Sequence, residues 1–213
     1  HLAEIMFEVG ASDQLVGVSA WSDYPRAVLE LPEVGDAFTV DQEQLSLLRP
    51  DLILVWASGM PVHTVDDLRQ RGYRVESITT RNLADVAAAM RRVGELTGHA
   101  AEGESAAARF ESVFDELRKA HADDEPISVF FQISARPLYT INREHFISEI
   151  IAVCGGQSIF DELNEFAPPV SVEAVLDRDP EVMLAGANLG EGAFEEWQRW
   201  PEMTIVFLPY KNY

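Results

Sequence analysis

The sequence predicts an α/β protein made of two similar lobes joined by a helical connector. Three observations carry this. Residues 1–79 alternate helix-type and strand-type patterns, as a parallel sheet with helices on its faces requires. Residues 82–121 show helical periodicity and no strand pattern. Beyond them the alternation resumes, and a segment near the start of the chain reappears at a constant offset of 130 residues.

In chain order, Leu2, Ile5, Met6 and Val9 fall at i, i+3, i+4 and i+7, one face of a helix that Gly10 closes. Leu15–Ala20 is a short apolar run that reads as a buried strand. Asp41-Gln42-Glu43-Gln44 is a capping box opening a helix with Leu45 and Leu48 on its apolar side; Pro50 stops it. Leu52–Trp56 reads as a strand. Thr64 with Asp67 starts a helix that Gly72 ends, and Tyr73–Ile78 reads as the next strand. Asn82 caps a helix with Leu83, Val86, Met90, Val93 and Leu96 on one face. After the weak interruption at Gly98, a second run carries Phe110, Val113, Phe114 and Leu117. If unbroken, this forty-residue stretch would extend ~60 Å, enough to brace two lobes. The expected division is therefore a first lobe at 1–81, a connector at 82–121 and a second lobe at 122–213. In that second lobe Ile127–Ile133 reads as a strand. Asn142 is expected to cap a helix ended by Gly155-Gly156, and Ser171 another. Val182–Leu184 reads as a strand, Glu191–Arg199 as a helix and Thr204–Leu208 as a strand.

The repeat places Val40-Asp41-Gln42-Glu43-Gln44-Leu45 over Val170-Ser171-Val172-Glu173-Ala174-Val175. It continues without a gap to lay Pro50-Asp51-Leu52-Ile53-Leu54 over Pro180-Glu181-Val182-Met183-Leu184. Two equivalent lobes with a rigid connector create a cleft, a preferred place for ligands. Each lobe also presents one glutamate, Glu43 or Glu173, in the first turn of a short helix. Singly, each is explained by the helix macrodipole. As a pair they suit a two-fold-symmetric partner that offers the same basic pocket twice.

Composition narrows the classes. Lys plus Arg number 16 and Asp plus Glu 36, a net charge of −20, which repels nucleic acid and anionic lipid headgroups. Hydrophobic residues make up 47%, enough for a core. Cys154 is the one cysteine, so no disulfide forms within the chain, and a buried thiol is the default expectation for it. No run approaches the ~18 apolar residues of a membrane span. The first residues already read as helix interior and the last as a strand with nothing after it, so the chain reads as truncated at both ends. The missing export signal therefore says little about compartment.

Leu15-Val16-Gly17-Val18-Ser19-Ala20-Trp21-Ser22-Asp23-Tyr24-Pro25, Leu48-Arg49-Pro50-Asp51-Leu52-Ile53-Leu54 and Val153-Cys154-Gly155-Gly156-Gln157-Ser158-Ile159-Phe160 together resemble the cobalamin and iron-siderophore solute-binding proteins of ABC importers. The likeness covers nearly the whole chain and is more specific to the family than to the ligand. It implies two Rossmann-like lobes with parallel sheets joined by a long connecting helix, the class III periplasmic binding protein type. It implies a monomer that is periplasmic, or lipid-anchored outside the cell. Its cargo would be cobalamin or a related corrinoid, with a ferric siderophore or haem as the alternative, and delivery would be to an ABC permease dimer. Glu43 and Glu173 fall at the family's docking positions. No cofactor of its own is implied; the corrinoid is cargo.

A corrin is a broad, mostly apolar ring edged with amides, so its capture calls for aromatic faces and a few donors. Trp21 occupies the position where the family sets a tyrosine or tryptophan against the ligand, and Tyr139 matches a cleft aromatic of the second lobe. Trp56 ends a strand at Ala57-Ser58-Gly59, and both a core and a ligand role stand for it. The family often carries tryptophans where this chain has Ala37 and Ala167; the neighbouring Phe38 and Phe166 are the expected substitutes. The family's late cysteine, a partner for Cys154, lies in a region beyond this sequence. Arg136 and Arg143 favour the anionic alternative, or are solvated loop charges. His145 and Glu149 stand at i and i+4 with no second cluster, so no metal site is expected. The rival enzyme reading rests on Asp23 beside Tyr24, which a turn also explains.

Overall fold

Local signals build most of the elements. In the computed structural model, which describes residues 1–36, 38–186, 197 and 204–207, the first helix α1 spans Leu2–Glu8. Its end is a Schellman motif: Gly10, at φ 74°, donates to the Phe7 carbonyl, and Ala11 donates to that of Met6. Helix α2 (Gln42–Leu48) is capped by the Asp41 carboxylate, which accepts from the Gln44 N–H at 2.9 Å. Strand β1 (Ile53–Trp56), helix α3 (Val62–Gln70) and strand β2 (Val75–Ile78) follow, with β1 and β2 paired in parallel. Helix α3 begins two residues before the expected Thr64. Pro61, with φ already fixed near the helical value, precedes its first turn and takes over the start.

The chain divides into two compact units, His1–Ser112 and Val113–Asn212. The strandless stretch 82–121 contributes to both. Helix α4 (Leu83–Thr97) is capped by Asn82, whose Oδ1 accepts from Asp85 at 2.8 Å, and ends at Gly98 with φ 80°. Helix α5 (Ala100–Ala120) begins in the first unit and ends in the second. The break at Gly98 lets α5 cross α4. A Cβ on Gly94 would stand 2.9 Å from the Gly103 Cα, and one on Gly103 would stand 2.8 Å from the Met90 carbonyl oxygen, so only glycine permits this approach. One core cluster of the first unit forms here, from Ile5, Met6, Val9, Ala87, Met90, Val93, Ala106 and Ala107, and a second forms from Leu45, Val55, Val65, Leu68 and Val75. The buried side of α5 is thus its small residues, while Val113 is exposed, contrary to the apolar face expected around it.

The expected strand Leu15–Ala20 reduces to one parallel bridge, Val18 with Glu33. Val18 donates to the Pro32 carbonyl and accepts from Val34. Pro32 has no N–H to extend the ladder, and Gly35 at φ 107° leaves strand geometry, so the ladder ends with Ala20 donating to Gly35.

The second unit holds a four-stranded parallel sheet in the order β6-β3-β7-β8: β3 Ile127–Gln132, β6 Gly156–Ser158, β7 Val182–Ala185, β8 Thr204–Phe207. A two-stranded hairpin, β4 (Ser134–Ala135) and β5 (Leu138–Tyr139), follows β3. Helix α6 is Phe146–Val153 and helix α7 is Val172–Arg178, capped by Ser171. The expected helix Glu191–Arg199 lies outside the described residues apart from Trp197. That indole is buried against Phe130, ring centroids 5.6 Å apart.

The repeat is physical as well as textual. Both α2 and α7 are seven residues long and open on a side-chain cap at positions 41 and 171. Both bury the residue at 45 or 175, and both end on a left-handed residue, Arg49 at φ 46° and Asp179 at φ 45°.

Candidate functional site

Strand ends decide where the predicted side chains stand. In the first unit the chain leaves the Val18 bridge into a turn where Ser22 donates to the Ser19 carbonyl and the two hydroxyls lie 3.2 Å apart. Trp21 sits in this turn at φ 67° and is 92% exposed. A left-handed conformation costs a bulky residue about 1–2 kcal/mol, and no burial offsets it here. The next loop carries Phe38, 81% exposed. Trp56 is the last residue of β1, 41% exposed, and meets the His1 ring edge-on at 5.1 Å. Its indole lies across Gly59: a Cβ there would come within 2.2 Å of the ring. Of its two readings, the core one is set aside by this exposure.

In the second unit the β4–β5 hairpin stands beyond the C-terminal end of β3, with Arg136 exposed at its tip. Tyr139 is half-buried, because it pairs with Ser134 on one side and bridges Pro169 on the other. Phe166 is 55% exposed and lies 4.5 Å from the His145 ring, tilted by 34°. Ala167 beside it is half-buried; Ala37 lies outside the described residues. The three second-unit residues therefore gather around loops that follow β3 and precede α7. Trp56 ends a parallel strand, Trp21 follows the parallel bridge at Val18, and Tyr139 belongs to the hairpin that follows β3; the carboxyl ends of parallel strands are where open α/β sheets bind ligands.

His145, expected only beside Glu149, is a neighbour of this group. It replaces Asn142 as the cap of α6: its Nδ1 accepts from the Ile147 N–H at 3.1 Å. Asn142 is instead buried one turn earlier, donating to the Leu163 carbonyl and accepting from the Glu144 N–H. Burial pushes the His145 imidazole below its ordinary range, and a proton on Nδ1 would also break the cap. The folded chain thus prefers the neutral ring. The stabilisation is fully present above about pH 6.5, the unfolded value, and is lost as pH falls below it. Between pH 7.5 and 5, wild type is expected to lose more thermal stability than His145→Asn, which keeps a capping acceptor that does not titrate. Melting curves of both across that range check this.

Glu43 and Glu173 are both exposed, each in the first turn of its helix. Hydrogen bonds from its own backbone N–H and from Ser171 hold the Glu173 carboxyl below the ordinary range. Arg143 is turned toward a cavity of about 460 Å³ within the second unit, where its Nε donates to the Asp161 carbonyl at 3.0 Å. Burial pushes the Asp161 carboxyl up, against a Gln157 hydrogen bond and the Arg143 charge.

Cys154 is exposed rather than buried, because it is the C-cap of α6 and follows Val153, the last residue to turn inward. Glu149 faces Arg118 at 3.6 Å. Among the described residues no three His, Cys, Asp or Glu side chains converge on a metal position, and no helix is long and apolar enough to cross a membrane.

The sequence profile described as "Periplasmic binding protein" matches residues 2–198. The chain belongs to the periplasmic binding protein family. Family members are non-enzymatic transport components, which removes the acid–base reading of Asp23 and Tyr24. This periplasmic binding protein is 33% identical over 208 residues to the vitamin B12-binding protein of Vibrio cholerae serotype O1, covering 97% of this chain and 75% of that one. The crystal structure of the periplasmic vitamin B12 binding protein BtuF of Vibrio cholerae superposes with a TM-score of 0.81 at 32% identity, covering 97% of this chain and 84% of that one. The periplasmic haem-binding protein RhuT of Roseiflexus sp. RS-1, at 24% identity and a TM-score of 0.83, shares the fold over 97% of this chain and 85% of its own. The two-lobed α/β class read from the residues is therefore the fold of this periplasmic binding protein.

Proposed function

We propose that this chain is the solute-binding component of an ABC importer and that its cargo is cobalamin or a related corrinoid. One observation carries the reading: each unit exposes aromatic side chains in the loops that follow its parallel strands or at a strand's end. Trp21, at 92% exposure in a strained turn, is the strongest case, since an apolar side chain held in water against a backbone cost calls for an external partner. Trp21, Phe38 and Trp56 are assigned to the ligand from the first unit, and Tyr139, Phe166 and Arg136 from the second. The broad faces of the rings take the macrocycle, and the guanidinium of Arg136 donates to its amide rim. Relatives at about one-third identity that carry the vitamin B12 name support cobalamin over other macrocycles.

Glu43 and Glu173 are assigned to docking on the permease dimer. They occupy equivalent positions in a repeat whose local geometry agrees down to the left-handed residue that ends each helix. Two identical basic pockets on a two-fold-symmetric membrane partner would be met by two such carboxylates. The expected compartment is the periplasm, or the outer surface of the membrane through a lipid anchor.

A haem or ferric-siderophore cargo is the second reading. The exposed Arg136 beside Tyr139 favours it, since a guanidinium pairs readily with propionate or other anionic groups. Calorimetric titration with cyanocobalamin, cobinamide, haem and a ferric hydroxamate separates the two. Saturable one-to-one heat with cyanocobalamin or cobinamide, and weaker or no heat with the others, is the expected result. Preference for haem or the hydroxamate would replace the corrinoid reading.

A further inference from the structure

We infer that Asp36 is a positioning residue for ligand capture, holding Phe38 in place and tying its loop to that of Trp21. The inference rests on the ligand reading above. Asp36 is itself a poor candidate for touching a corrin. Its carboxylate is instead committed to the backbone: Oδ1 accepts from the Phe38 N–H at 2.8 Å and from the Thr39 N–H at 2.7 Å. Its own N–H donates to the Thr39 carbonyl at 2.8 Å. Those same two donors, Phe38 first, hold the Asp36 carboxyl below the ordinary range, so it remains an acceptor through neutral and mildly acidic conditions.

The turn is closed on both sides. Gly35 bridges Val40 in antiparallel fashion, and Asp41 donates to the Val34 carbonyl. Gly35 sits at φ 107°, where an added Cβ would fall 2.0 Å from the Thr39 carbonyl oxygen, so no other residue allows a turn this tight. The Gly35 carbonyl in turn accepts from the Ala20 N–H at 2.7 Å, one residue before Trp21. A chain of backbone bonds therefore runs from Asp36 to both of the most exposed aromatic residues of the first unit. An exposed phenylalanine gains nothing from its own protein that would hold it still. Fixing its backbone from behind reduces the ordering that binding must otherwise supply.

The test is calorimetry of the full chain with cyanocobalamin, with haem in parallel, alongside thermal melting. Asp36→Ala is expected to raise Kd by roughly tenfold with little change in melting temperature. Asp36→Asn, which keeps an oxygen acceptor in the same turn, is expected to stay within about threefold of wild type. Asp36→Glu keeps the charge but displaces the oxygen by one methylene, and is expected to follow alanine rather than asparagine; it also serves as the test variant if Asp36→Ala does not fold. In a Phe38→Ala background the Asp36→Ala effect is expected to shrink to about twofold. Wild type that binds while Asp36→Ala and Asp36→Glu bind equally well overturns the inference alone, as does an undiminished loss in the Phe38→Ala background. Wild type that binds neither cyanocobalamin nor haem overturns the ligand reading, and this inference with it.

Discussion

Trp197→Ala is expected to destabilise the second unit by about 3–5 kcal/mol, the range for deleting a large, fully enclosed aromatic side chain. Trp197 is 1% exposed and meets Phe130 edge-to-face at 5.6 Å. Phe130 in turn meets Phe160 at 6.1 Å, so removing the indole opens a void at the end of a row of rings. The indole also donates from Nε1 to Gln132 Oε1 at 2.7 Å, and Gln132 is itself buried at the end of β3. Trp197→Phe keeps most of the volume and loses this donor, so it is expected to cost less, about 1–3 kcal/mol. Urea or thermal unfolding measures both. Equal costs for the two substitutions would show that the hydrogen bond, not the ring volume, anchors this residue.

Glu43→Arg combined with Glu173→Arg is expected to abolish delivery to the permease while leaving ligand affinity within about twofold of wild type. The physical basis is sign. Two carboxylates that complement basic pockets become two cations that repel them, and like-charge juxtaposition at an interface costs several kcal/mol. The fold itself loses little: a cation in the first turn of a helix opposes the macrodipole by about 0.3–1 kcal/mol at an exposed site. Uptake of labelled cobalamin into vesicles carrying the permease, measured beside calorimetry on the purified variant, reads both quantities. A comparable fall in ligand affinity would remove the docking assignment. Each single substitution is expected to have a smaller effect than the pair, because one lobe still engages.

Much of the fold was legible in the residues because its determinants act over three or four positions. Asp41, Asn82 and Ser171 carry the cap signal in the sequence, and each accepts from the N–H three residues on. Gly10 and Gly72, expected as helix ends, and Gly98, expected only as a weak interruption, all sit at positive φ. The 130-residue repeat was visible as paired caps, glutamates and prolines, and the two helices it defines share length, buried position and terminal conformation. Trp21 is legible through the motif around it, and Phe38 and Phe166 only as neighbours of Ala37 and Ala167, where the resemblance sets tryptophans.

The failures occur where a distant partner decides. Leu15–Ala20 has the apolar content of a strand, yet its ladder depends on Pro32 and Gly35, which stop it after one bridge. Around Phe110–Leu117 the apolar face is kept in part, with Phe110, Phe114 and Leu117 half-buried and Val113 exposed, while the crossing with α4 demands small residues and buries Gly103, Ala106 and Ala107 fully. Asn142 and His145 both suit a helix start. The burial of Asn142 against the Leu163 carbonyl left the cap to His145 and so brought that ring beside Phe166.

By itself, the sequence determined the α/β class, the principal helices and the longer strands, the caps at Asp41, Asn82 and Ser171, the repeat and the family, because caps, breakers and periodicity are local and each residue carries its own preference. Only the tertiary structure decided that Asp36 grips the backbone behind Phe38, that Gly59 lies under Trp56, and that Trp197 reaches Gln132 across 65 positions. The first two belong to turns two or three residues long, whose conformation the surrounding loops set, and the third depends on close approach between segments that no local pattern links. Packing selects them only when the whole chain has found its shape.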